Sequence, residues 1–268
     1  MDVQQSLLDL KLNGWCLLDG VIPADQIDAI RESVTATVSE HRGDYPGAPD
    51  RVGFVPGLIN HNQSFASYLA EPRLLQIAEQ LLGQHVRISY TSAIINEPGN
   101  VRGNWHADWP FNQTVAGRIP APYPDAVFHL TTLWMLSPFT PENGGTLIVS
   151  GSHRTDNNPT GDNGIDPAAA YPTEMQVTGD AGSVLVFDSR LWHATSPNMT
   201  GEPRVALAVR YAPKWLNLDV LLPGSDERKR LVDEAGGTDN QVPGLPADVY
   251  SLLPEAVKPL YRHWVQHT

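Results

Sequence analysis

Residues 2–42 space their apolar side chains as a helix would, and Pro23 with Asp25 stands where a second helix can begin. Ile27, Ile30 and Val34 then form the buried stripe of that helix. A further amphipathic segment, 72–82, stops at Gly83, the residue type that most readily ends a helix in a left-handed turn. The chain is therefore expected to open with helices.

From Val86 the period changes. Short apolar or alternating runs at 86–95, 128–136, 146–149, 175–177, 183–187 and 204–212 are bounded by Gly, Pro and Asn and read as strands. Helices first and strands afterwards, without alternating βα units, predict a mainly β jelly-roll or barrel core wrapped by helices. Two polar, Pro-rich connections, 109–126 and 154–171, are too long for hairpins and have the length of lids or binding elements. The tail from 215 to 268 carries a charged helical stretch at 226–235 and a second helix expected from Pro254.

Composition narrows the picture. A chain of 268 residues with 41% hydrophobic and 18% charged residues can bury one good core, so a single domain over 1–268 is expected. The 22 glycines and 23 prolines fit a fold with many turns. A net charge of -12, with no compensating run of Lys or Arg, argues against a nucleic-acid partner. Cys16 is the single cysteine and cannot form an internal disulfide, and the first residues lack the basic start and apolar core of a signal peptide. A reducing, cytoplasmic setting is the expectation. No apolar stretch approaches the roughly 20 residues that cross a bilayer, so no membrane association is expected.

The candidate chemistry begins at Asn104-Trp-His106-Ala-Asp108. In an extended segment, side chains two residues apart leave the same side, so this imidazole and carboxylate can share one ion. A second component, Gly182-Ser-Val-Leu-Val-Phe-Asp-Ser-Arg-Leu-Trp-His193, is a turn, a buried strand and a histidine just past its end. Two histidines and one carboxylate on one face of an octahedral iron leave positions open for catalysis. A structural zinc site would instead close four positions, usually with several thiolates.

Arg204 opens the run to Arg210, and strand periodicity puts Arg204, Ala206, Ala208 and Arg210 on one face. Small residues between two guanidinium groups suggest a cavity wall, where a shielded guanidinium can hold a carboxylate by two hydrogen bonds.

These residues, with Asn13-Gly-Trp-Cys-Leu-Leu-Asp-Gly-Val-Ile-Pro23, Asn143-Gly-Gly-Thr-Leu147 and Ser150-Gly-Ser-His153, resemble the phytanoyl-CoA dioxygenase family of iron(II)- and 2-oxoglutarate-dependent oxygenases. The resemblance runs over most of the chain and weakens after Tyr211. It implies a double-stranded β-helix, that is, a cupin-like jelly roll. It further implies iron held by His106, Asp108 and His193, with Arg204 and Thr195 on the distal carboxylate of 2-oxoglutarate. The reaction implied is hydroxylation of a small organic molecule by dioxygen, with release of succinate and carbon dioxide. Related halogenases carry a small residue where Asp108 stands, so hydroxylation is favoured.

Several residues keep two readings at this level. Trp109 and Phe111 either line a substrate pocket or simply pack. Arg210 either contacts substrate or makes a structural ion pair. His129 and His153 read as structural or supporting groups. A metal-dependent oxygenase without 2-oxoglutarate and a non-catalytic binding protein are the alternatives for the whole chain, and the sequence leaves its oligomeric state open.

Overall fold

The computed structural model describes residues 2–44, 50–111, 119, 121–156, 158–159, 164–237 and 240–266. Helices α1 (Val3–Asn13), α2 (Ala24–His41) and α3 (Pro72–Leu82) precede most of the strands. The strands are β1 (Trp15–Leu18), β2 (Val52–Pro56), β3 (Arg87–Asn96), β4 (Leu130–Met135), β5 (Leu147–Val149), β6 (Glu174–Gln176), β7 (Val184–Asp188), β8 (His193–Ala194) and β9 (Arg204–Ala212).

Six strands form a major sheet in the order β1-β7-β4-β9-β3-β2, and three form a minor sheet in the order β6-β5-β8. Every pairing between these strands is antiparallel. The sheets face each other across a small apolar interior built from Leu133, Met135, Ile148, Leu185, Phe187, Ala206 and Ala208. This is the two-sheet layout of a jelly roll.

Alternation along each major-sheet strand creates the layers. On β9, Val205, Leu207 and Val209 join the large outer core while Ala206 and Ala208 face inward. On β7, Val184 and Val186 point outward and Leu185 and Phe187 inward. Ile27, Ile30, Val34 and Val38 of α2, with Leu74 and Ile77 of α3, cover the outer face. The C-terminal segment belongs to the same core: Tyr261 shares a 2.7 Å hydrogen bond with Thr91, and Trp264 donates to the Ile88 carbonyl at 2.7 Å. No helix among the described residues is long and apolar enough to cross a membrane.

Three expectations change. Residues 2–42 are not helical throughout, because Gly14, at φ 85°, caps α1 and the next four residues pair with β7. An available strand edge, not local periodicity, decides their state. The charged stretch after 225 is helical but passes from Asp226–Arg228 into a π-helix at Lys229–Asp233. Helix does not start at Pro254. Turns of helix lie before and after it, at Ala247–Leu252 and Lys258–Tyr261, and Leu253 is extended as the residue before a proline prefers to be. The two long connections fall partly outside the described residues.

Candidate metal centre and carboxylate pocket

The minor sheet brings the two histidines together. His106 and His193 form an antiparallel bridge through reciprocal backbone hydrogen bonds of 3.1 and 3.0 Å, and their rings lie 4.1 Å apart. The segment before Asp108 thus extends the sheet edge at β8. A further backbone bond, Asp108 N–H to Ser189 carbonyl at 2.8 Å, fixes the carboxylate-bearing residue against the turn after β7.

Tautomer follows from the partners. His106 Nδ1 lies 3.0 Å from the Asn104 carbonyl, and His193 Nδ1 lies 2.9 Å from the Leu191 carbonyl. A carbonyl only accepts, so both Nδ1 atoms carry a proton, and it is Nε2 of each neutral ring that offers a lone pair. One ligand atom each from His106, Asp108 and His193 lies within 4.8 Å of the others. A nitrogen, nitrogen, carboxylate set of this kind, fixed on one side, suits a divalent transition metal and leaves positions toward the cavity.

Electrostatics agree with that donor set. Burial penalises the Asp108 charge, but Arg210 and the two neighbouring histidines outweigh it and hold the carboxyl near pKa 2. His193 is pushed down to about 4 by burial and by His106, so it is neutral at physiological pH and able to ligate.

Asp108 is held at both oxygens. Arg210 reaches Oδ1 at 2.5 Å, and the Thr131 hydroxyl donates to Oδ2 at 2.6 Å. Thr131 lies opposite Arg210 in the β4–β9 register, which puts both on the interior face. Arg210 thus makes an ion pair and also borders the cavity beside the ligand residues.

Beside the three ligand residues lies a cavity of about 90 Å³ walled by Arg204, Ala206, Ala208 and Arg210 of β9, with Thr146 and Thr195 across from them. The alternation on β9 has therefore put all four residues on one wall. Arg204 is only 3% exposed, and its Nε has no hydrogen-bond partner among the described residues. Its guanidinium instead stacks on Phe139, 4.3 Å from the ring centre. Burial lowers its pKa to about 10, which still leaves it charged at neutral pH. A buried guanidinium without an anion costs folding energy and suits a ligand carboxylate.

Trp109 and Phe111 lie elsewhere. Trp109 joins the outer core and packs edge-on against His129, with ring centres 5.6 Å apart. Phe111 packs against Tyr123 and under the Arg190 guanidinium. Neither borders the cavity beside the metal ligands. Thr131 and Thr146, which do, carry no signal in the sequence beyond a hydroxyl in an apolar run.

Solved structures share this fold. HygX from Streptomyces hygroscopicus, solved with nickel and 2-oxoglutarate bound, superposes with a TM-score of 0.62 at 20% identity, covering 80% of this chain and 88% of that one. EctD from S. alaskensis, solved with bound iron, superposes with a TM-score of 0.63 at 21% identity, covering 80% of this chain and 77% of that one. In sequence, the dioxygenase af480 of Aspergillus fumigatus is 31% identical over 222 residues, which is 79% of this chain and 67% of that protein. The family profile described as phytanoyl-CoA dioxygenase matches residues 10–206, well over half of the chain. The chain thus belongs to the phytanoyl-CoA dioxygenase family and is an oxidoreductase of the dioxygenase type.

Proposed function

We propose that this dioxygenase uses iron(II) and 2-oxoglutarate to hydroxylate an unactivated C–H bond of a small organic molecule. His106, Asp108 and His193 would hold the iron, and Arg204 with Thr195 would hold the distal carboxylate of 2-oxoglutarate. Bound there, iron and 2-oxoglutarate with dioxygen as oxidant would supply oxidative decarboxylation to succinate and carbon dioxide, one oxygen atom of dioxygen entering succinate and the other the C–H bond. The observation that carries the reading is Arg204, a buried cation that pairs with no carboxylate among the described residues and lines the same cavity as the three-ligand cluster.

The chain's own residues do the positioning. The carbonyls of Asn104 and Leu191 orient the two imidazoles, and Arg210 and Thr131 keep Asp108 ionised and oriented. Ala206 and Ala208 leave room for a ligand, and Ile94 and Leu133 keep the wall beside it apolar. With Asp108 filling the carboxylate position, the site favours hydroxylation over halogen transfer. A core shared by the N-terminal helices, the major sheet and the C-terminal segment, with the minor sheet packed on the major sheet's inner face, supports one oxygenase domain over residues 1–268.

Anaerobic titration of the Fe(II)-loaded protein with 2-oxoglutarate tests the reading through the visible charge-transfer band of the chelate. Wild type should develop the band, His106→Ala should not, and Arg204→Ala should need far more 2-oxoglutarate. A well-folded, iron-bound wild type without a band would refute the cofactor assignment.

A further inference from the structure

Behind Asp108 a line of buried polar groups runs through the interior. Ser89 Oγ lies 2.7 Å from His129 Nε2, His129 Nδ1 lies 2.8 Å from Ser189 Oγ, and Ser189 Oγ lies 2.9 Å from Thr131 Oγ1. Thr131 Oγ1 lies 2.6 Å from Asp108 Oδ2. None of the five residues is more than 3% exposed, so these bonds are shielded from bulk water.

Counting hydrogens fixes the direction of every bond from His129 to Asp108. An ionised Asp108 only accepts, so Thr131 gives it the one hydroxyl hydrogen it has. Thr131 must then accept from Ser189, which has spent its own hydrogen and must accept from His129. His129 therefore carries a proton on Nδ1, and in the neutral ring Nε2 accepts from Ser89, whose single hydrogen also has the Arg210 carbonyl within reach at 3.3 Å. Burial, reinforced by Arg210, pushes His129 down to about 3, consistent with the neutral ring this requires.

Two features of the fold serve the line. Ser89 is the extra residue where the β3–β9 register shifts between Ile88 and Tyr90, and a bulge of that kind re-aims a side chain. Trp109, next to a metal-ligand residue in sequence, packs edge-on against the His129 ring.

We propose that Ser89, His129, Ser189 and Thr131 form a one-way donor chain that positions Asp108 for metal binding, with His129 setting its direction. The proposal rests on Asp108 being an iron ligand. These are positioning residues: they act through Asp108 and touch neither cofactor nor substrate. Reversing the chain would set a hydroxyl lone pair against the carboxylate, which turns an attraction into a repulsion at the ligand itself. Groups that orient metal ligands in this way typically change metal affinity by about 10-fold to 100-fold.

The test is anaerobic Fe(II) competition against a chromophoric chelator, together with the electron paramagnetic resonance spectrum of the Co(II)-substituted protein and melting of the metal-free protein. Thr131→Val should weaken Fe(II) binding by about 10-fold to 100-fold and alter the Co(II) spectrum, whereas Thr131→Ser should stay near wild type in both. His129→Leu should shift both in the same direction. His129→Asn, whose amide can donate from about the position of Nδ1, should recover most of the loss.

Equal losses for His129→Asn and His129→Leu would overturn the directed chain. So would variants that lower only the melting temperature, or variants that match wild type throughout; in those cases iron binding by wild type still stands. Wild type that binds Fe(II) no better than His106→Ala would overturn the metal assignment and this inference with it.

Discussion

Arg204 is a charge buried against Phe139 with no anion beside it among the described residues, so the metal-free, ligand-free protein carries a desolvation cost there. Replacing it with the uncharged and similarly long Met should leave ligand-free stability unchanged or raise it by about 1 kcal/mol, measured by urea unfolding. The same variant should raise the 2-oxoglutarate dissociation constant by at least about 100-fold, close to 3 kcal/mol, by calorimetry. A large loss of stability together with unchanged cofactor affinity would show Arg204 to be structural. At this scale the sequence is informative where chemistry comes with a period: His106 and Asp108 two apart, and Arg204 and Arg210 on one strand face. It reads His129 only as a structural or supporting group and is silent on Thr131 and Ser189, because one hydroxyl beside apolar residues looks the same whether it faces a ligand or a neighbour. It also gives Trp109 and Phe111 no direction, and in the structure Trp109 packs in the outer core and Phe111 against Tyr123, neither bordering the cavity.

Strand β9 converts alternation into a binding wall by placing small residues inward and large ones outward. Ala206→Leu should therefore fill part of the roughly 90 Å³ space without touching the three ligand residues. The expected result is Fe(II) affinity within a few-fold of wild type and a 2-oxoglutarate charge-transfer band that is absent or needs at least about 10-fold more cofactor. Loss of iron binding as well would mean that the wall and the metal centre are not separable. The turn beneath the wall is equally constrained. Gly144 has φ 85°, and a Cβ there would lie 2.2 Å from Asn96 Nδ2 and 2.6 Å from the Ser196 carbonyl. Gly144→Ala should cost more than about 1 kcal/mol in urea unfolding.

Element bounds follow the same logic of period and edge. β9 and α3 are readable from sequence because each has a long periodic pattern closed by turn residues. β1 and β8 are not, because four and two residues carry no period and are strands only through pairing with β7 and β5. The tail differs for a local reason, since Leu253 is extended before Pro254 and the helix expected from Pro254 begins only at Lys258.

Stability of the whole molecule should depend on pH through its buried imidazoles. His129 is held at about 3 by burial first and Arg210 second, with Asp108 acting in the opposite sense. His263 is held at about 3 by burial and then by Arg87, against a backbone hydrogen bond to Ile88. Both values lie below the 6.5 of an unfolded histidine, so the unfolded chain binds more protons than the folded one between those limits. Their contribution is complete above pH 6.5 and is lost progressively as pH falls toward 3. For His129 alone, about 1.4 kcal/mol per pH unit gives a loss of about 2 kcal/mol between pH 6.5 and 5, above the range where most carboxylates titrate. Urea unfolding of the metal-free protein at pH 7, 6 and 5 should show stability falling with pH, and His129→Asn should show a shallower fall by about one proton. Equal slopes in the two proteins would mean that His129 is as easily protonated folded as unfolded. That result would contradict a neutral ring locked between Ser89 and Ser189, since an imidazolium could not accept from Ser89 at Nε2.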